Sequence, residues 1–236
     1  MRWTTLILCL VAGCATAPNL HVDERGTPIY DGAVYGSDGD QLFEYTRTSR
    51  AEGDALVSTH HSREVDGGRR VTLQSATHSE AYALQRSVEH HDQLGIRSEV
   101  VVDGDRIRMT TVRNGRVRTK RRRLSGPAVV GPTLFGFVLH HWDALSRGES
   151  VALRFVVPQR RSTYAFDLKM TERDSATTTV VMQARSTLVR ASVPAMRMVF
   201  DSTSHEILRY EGRIPPQLNG KPVDARVEYT MRAPFR

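Results

Sequence analysis

Nine histidines occur in this 236-residue chain, and six of them form adjacent pairs: His60-His61, His90-His91 and His140-His141. Imidazole is a common ligand for transition metals, so the pairs raise a metal-binding reading. On a strand, however, neighbouring side chains point to opposite faces, and each pair offers only one ligand per side. A metal centre would have to draw on separate elements, and the sequence has no HExxH or comparably spaced motif. Glu89 and Asp92 flank the second pair and make it the best-placed of the three. The residues predict no metal site and no cofactor, with the histidines on the surface or lining a sheet.

Other chemistry is equally thin. The chain has no G-x-S-x-G nucleophile elbow, no S-x-x-K pair and no P-loop. Asp38, Asp40, Asp103 and Asp105 lie in turn contexts, and nothing pairs them as acid and base. No catalytic residue is assigned, and the chain is read as not an enzyme. A metal-assisted or other hydrolase is the third-ranked alternative.

Charge is more informative. The formal net charge is +7, and it is concentrated in Arg116-Val117-Arg118-Thr119-Lys120-Arg121-Arg122-Arg123. In a strand, Arg116, Arg118, Lys120 and Arg122 share one face, while Arg121 and Arg123 join the opposite one. Two readings stand. The six cations form a basic surface for a phosphate-rich partner, or they guard an edge strand against sheet-to-sheet aggregation.

At the start of the chain, Arg2 precedes an apolar run from Leu6 to Val11, followed by Ala12, Gly13 and Cys14. A basic residue, a short apolar core and small residues are the layout of a secretory signal, and the run is too short to span a bilayer. Val11-Ala12-Gly13-Cys14 resembles the lipobox of bacterial lipoproteins. The resemblance implies cleavage after residue 13, lipid (palmitate among the acyl groups) on Cys14, and the loss of Cys9. The mature chain then has no second cysteine for an intramolecular disulfide. Ala15, where inner-membrane lipoproteins of many Gram-negative bacteria carry aspartate, implies the outer membrane, with the domain facing the periplasm. In that compartment the basic charge points to lipid headgroups or an anionic envelope polymer, and to no nucleic acid.

These residues must be positioned by a mainly β fold. Val151, Leu153, Phe155 and Val157 alternate with other residues, as do Tyr164, Phe166, Leu168 and Met170. The same period of two returns at Met196, Met198 and Phe200, and from Val223 to Met231. Asp66-Gly67-Gly68, Asp103-Gly104 and Asn114-Gly115 supply hairpin turns. Residues 131–145 break the pattern: Pro132 suits a first helical turn, Gly148 a C-terminal cap, and Leu134, Phe137, Val138, His141, Trp142 and Leu145 fall at helical spacing. The expected architecture is a curved antiparallel sheet, a half-barrel or open barrel, with one covering helix around residues 131–145. Residues 1–13 are the signal peptide, 14–40 the lipidated N-terminus and tether, and 41–236 a single β-rich domain.

Arg147-Gly148-Glu149-Ser150 with the strand after it, Arg161-Ser162-Thr163-Tyr164, and Met198-Val199-Phe200-Asp201 leading to Tyr210 resemble uncharacterised periplasmic β-sheet proteins of unknown function. A looser similarity runs to the half-barrels of lipoprotein carriers. It implies a helix plugging an acyl-binding cavity, with Leu134, Phe135, Phe137, Val138 and Trp142 lining it. The leading expectation is a membrane-anchored, non-enzymatic domain that binds an apolar ligand (lipid or acyl chain) or an envelope partner. The alternative is a structural or assembly protein that works through its basic surface.

Overall fold

The computed structural model describes residue 20, residues 22–65 and residues 68–232. Cys14 and most of the Asp66-Gly67-Gly68 turn lie outside the described residues. Fifteen strands form one sheet. Its first half is an up-and-down run: β1 (Thr27–Tyr35), β2 (Gln41–Glu52), β3 (Ala55–Glu64), β4 (Arg70–His78), β5 (Leu84–His91), β6 (Ile96–Asp103), β7 (Arg106–Arg113) and β8 (Arg116–Arg123). The second half contains β9 (Ala128–Val129), α1 (Gly131–His140), α2 (Trp142–Ser146), β10 (Val151–Val157), β11 (Ser162–Arg173), β12 (Thr177–Ala184), α3 (Thr187–Ser192), β13 (Met196–Asp201), β14 (Ile207–Leu218) and β15 (Lys221–Met231). The order across the sheet runs from β8 down to β1, then β15 down to β9. Every pairing is antiparallel except β9 with β10. The mainly β architecture expected from the alternating residues is therefore the one the chain adopts.

The turns follow their residues. Asn114 and Gly115 both take positive φ, 49° and 72°, which a two-residue hairpin of this hand requires. Asn219 and Gly220 repeat the device between β14 and β15, at 51° and 73°.

Two expected boundaries are corrected. The expected tether over residues 14–40 ends sooner, because residues 27–35 are β1, a strand in the middle of the sheet. Pro28 sits near the strand's start, where a missing N–H costs least. Gly32 is there for space, because a Cβ would lie 3.0 Å from Val227 and 3.2 Å from the Tyr229 ring. The single helix over 131–145 is two, broken at His141, whose Nδ1 meets the Phe137 carbonyl oxygen at 2.9 Å. At the other end of α1, the Val130 N–H donates to Thr133 Oγ1 at 3.1 Å and starts the helix.

The sheet curls until its halves face each other. One apolar core joins α1 and α2 to β10–β15 and β1, with Phe137, Val138, Leu145, Leu168, Met182, Met198 and Phe200 almost completely buried. Each such side chain contributes about 1.5–3 kcal/mol on removal from water. A second cluster brings Ala128, Val130 and Val156 onto Ala76, Val100, Ile107 and Met109 of the opposite half. Arg161 donates to Thr111, and His91 Nε2 meets the Pro215 carbonyl oxygen at 2.9 Å. The two edges are not hydrogen-bonded to one another: β8 pairs with β7 alone and β9 with β10 alone, so the barrel stays open.

Candidate functional site

The registers place one residue from each of eight strands in a single row on the inner face. It runs Tyr30, Arg47, His60, Gln74, Glu89, Ser98, Thr111 and Arg118, each directly opposite the next. Directly opposed residues on paired strands share a face and stand about 5 Å apart. The strip is therefore continuous and polar, and from Tyr30 to Thr111 every member is buried except the half-buried His60. Helix α1 covers it at β3 and β4, where Gly131 lies against Gln74 and His60. The 3-10 turn Pro158–Arg160 covers it at β5, β6 and β7.

At its β1–β4 end the strip is knitted by hydrogen bonds. Arg47 donates to Ser58 Oγ at 2.9 Å, Ser58 Oγ meets His78 Nε2 at 2.9 Å, and His78 Nδ1 meets the Ser79 carbonyl oxygen at 2.8 Å. A carbonyl can only accept, so His78 carries its proton on Nδ1 and accepts the Ser58 hydroxyl at Nε2. The Arg47 guanidinium also stands 5.7 Å from the centre of the Tyr30 ring and interacts with the Tyr82 hydroxyl. Tyr30, Tyr45 and Tyr229 pack ring to ring around it.

Burial sets the charges. It raises the phenols of Tyr30, Tyr45 and Tyr229, holding them neutral. Burial first, then the Arg47 charge, hold His60 well below the ordinary imidazole value. Burial lowers His78 and His91 too. Glu89 is pushed up to about 7 by burial alone. The strip thus sets the Arg47 cation at one end and the Arg161 donor at Thr111 among neutral donors and acceptors, with one carboxyl, Glu89, poised near neutrality.

Each residue singled out from the sequence has a definite place. Leu134, Phe135, Phe137, Val138 and Trp142 are buried in the main core, packed on protein side chains. Phe135 meets the rings of Tyr30, Phe200, Tyr210 and Tyr229, and Trp142 meets Phe200 and stacks on His205. Arg116, Arg118, Lys120, Arg121, Arg122 and Arg123 make up most of β8, and all but the partly covered Lys120 are exposed. The histidine pairs split across the sheet. His60 and His91 face inward, while His61 lies 3.7 Å from Glu24 and His90 bonds the Leu20 carbonyl on the outer face. Among the described residues no three His, Cys, Asp or Glu side chains gather as a metal cluster.

Sequence reasoning did not find the inner row. Its signal is that β3, β4 and β5 carry polar residues on both faces: Ser58, His60 and Ser62 alternate with Thr59 and His61. Only the registers and the two covering elements show which polar face is enclosed.

The fold and the strip together define an open, barrel-like antiparallel-sheet protein with an apolar core in one half and a polar strip along the inner face of the other. No protein-family model matches the chain, and no curated protein matches its sequence. Among solved structures, it is similar to the crystal structure of a β-barrel-like protein of a domain of unknown function, DUF1849, from Brucella abortus. The identity is 10%, the TM-score 0.43, and the alignment covers 89% of this chain and 97% of that one.

Proposed function

We propose that the chain is a non-enzymatic domain of the cell envelope, held at the periplasmic side of the outer membrane by lipid on Cys14. It rests strand β8 against an anionic lipid surface. The observation that carries this reading is the state of β8. It is a sheet edge, and of its six cations only Arg123 has a carboxylate partner among the described residues, Asp105 at 2.9 Å. Arg116, Arg118, Lys120 and Arg122 point to one side, continuing the side of Arg113, with Arg121 and Arg123 on the other. Beside a lipid anchor, a basic patch adds electrostatic attraction to anionic lipids. An apolar ligand beneath Leu134, Phe135, Phe137, Val138 and Trp142 would first have to displace their ring and core contacts. A surface contact at β8 requires nothing to move.

The test uses Cys14→Ser protein, so that acylation does not contribute, and sedimentation with vesicles containing phosphatidylglycerol. Binding is expected to weaken with salt, because exposed charges are screened over about 10 Å at 0.1 M. Replacing Lys120 and Arg122 with glutamine removes two charges at about 1 kcal/mol each and should lower affinity roughly 30-fold at low salt. Equal binding by the double variant, or equal binding to neutral phosphatidylcholine vesicles, would remove the basis for this reading.

A further inference from the structure

Beyond the knitted end of the inner row, several side chains carry a buried polar atom without a hydrogen-bond partner among the described residues. Among these atoms are Glu89 Oε2, His91 Nδ1, Ser98 Oγ and Gln159 Oε1. Three of them are neighbours on β5 and β6, and the fourth comes from the turn that covers those strands. Ser98 is directly opposite Glu89, His91 is the next residue of β5 on the same face, and Gln159 belongs to the 3-10 turn laid over β5, β6 and β7. Glu89 and His91 alternate along one strand, about 7 Å apart, near enough for both side chains to reach a point between them.

The four atoms also share a chemistry. His91 Nε2 faces the Pro215 carbonyl at 2.9 Å, and a carbonyl cannot donate, so the ring proton is on Nε2 and Nδ1 presents a bare lone pair. Glu89 Oε2 and Gln159 Oε1 are acceptors, and a serine hydroxyl offers lone pairs as well. Once Glu89 is ionised, an enclosed set of electron-pair donors around its carboxylate calls for an electron-pair acceptor. No arginine or lysine provides it: Glu89 appears in no ion pair among the described residues, and burial alone perturbs it.

We propose that this enclosed strip holds one divalent metal ion, with Glu89 supplying the charge and His91 Nδ1, Ser98 Oγ and Gln159 Oε1 the neutral ligands. One imidazole among oxygen donors suits Zn²⁺ or Mn²⁺ better than Ca²⁺ or Mg²⁺, which take oxygen alone. The orientation of His91 by a backbone carbonyl is the outer contact that metal-ligating histidines ordinarily have. Its strand ligands lie on β5 and β6, three and two strands from β8, so the site uses none of the cations of the proposed membrane contact.

The full chain, without an affinity tag and treated with chelator, is melted with and without ZnCl₂ or MnCl₂. An ion at about a hundredfold excess over its Kd should raise Tm by roughly 5–10 °C, with one ion per chain by elemental analysis. Glu89→Gln and His91→Gln should each abolish the rise, whereas His90→Gln, on the outer face, should keep it. Glu89→Gln preserves volume and mimics the protonated acid, so it is expected to fold. No rise in the wild-type chain, the same rise in both inner variants, or an equal rise with CaCl₂ and MgCl₂ would overturn the assignment.

Discussion

Metal-free Glu89→Gln protein is expected to be more stable than the wild-type chain by about 3 kcal/mol at pH 8 and no more stable at pH 4. The sign follows from the direction of the shift. Burial raises this carboxyl from an ordinary 4.5 to about 7. Below the lower value both the folded and unfolded chains are protonated there, and ionisation costs nothing. Between the two values the unfolded chain has released a proton that the folded chain retains, so stability falls as pH rises. Above about 7 the folded protein carries the full cost of a buried carboxylate. Glutamine removes the cost while preserving shape. His60, His78 and His91 act in the opposite direction: their folded values are lowered, and the stability they lend is lost as pH falls below the ordinary imidazole range. Both proteins share that loss, so the difference between their urea-unfolding curves from pH 4 to 9 isolates Glu89. A difference that does not vary with pH would refute the account. With bound metal the order reverses, because glutamine then loses the ion.

Gly136→Ala is expected to destabilise the protein by about 1–3 kcal/mol, although alanine is intrinsically better than glycine in a helix by about 1 kcal/mol. A Cβ on Gly136 would fall 1.8 Å from Tyr82 Cε1 and 2.0 Å from Cζ. Tyr82 has little freedom to yield. Its backbone is held at a φ of 56°, its ring stacks on His78 at 4.7 Å, and it is nearly fully buried. Glycine in mid-helix thus marks the place where the β4–β5 loop presses a ring against α1. Removing that ring with Tyr82→Ala should make the alanine at 136 neutral or mildly stabilising. Additive effects in that double-mutant cycle, measured by denaturant unfolding, would show that the contact does not set the cost.

How much could be read beforehand depended on which half of the sheet a residue occupies. In β10–β15 an apolar face alternates with a wet one, and Phe166, Leu168, Met198 and Phe200 identify the inward side directly. Pro132 fixes where α1 begins, and in the other half Asn114-Gly115 sets the β7–β8 hairpin. In β2–β6 the period of two persists, but Ser58, His60, Gln74 and Glu89 look no more interior than Thr59, His61, Ser75 or His90. Their burial is conferred by α1 and the Pro158–Arg160 turn, which lie far away in the chain and leave no local signature. β1 was lost for a related reason. Pro28, Gly32 and Gly36 resemble linker residues, and Gly32 is needed because Val227 and Tyr229, almost two hundred residues away, pack over it.

The strand order has a consequence for the folding of the chain. The strands hydrogen-bonded at the centre of the sheet, β1 and β15, are the most distant in sequence, with Asp31 opposite Thr230. The strands at the open edges, β8 and β9, are close in sequence. Each half can therefore build up by neighbouring hairpins, at small cost in loop closure, and the central seam is the one pairing that must wait. Deleting β15 would divide the sheet in two, whereas cutting the chain between Arg123 and Ala128 would leave every antiparallel rung in place. A circular permutant beginning at β9 and ending at β8, with residues 232 and 27 joined by a short linker, should assemble the same sheet. It should also fold faster, because its central seam would then be a local hairpin.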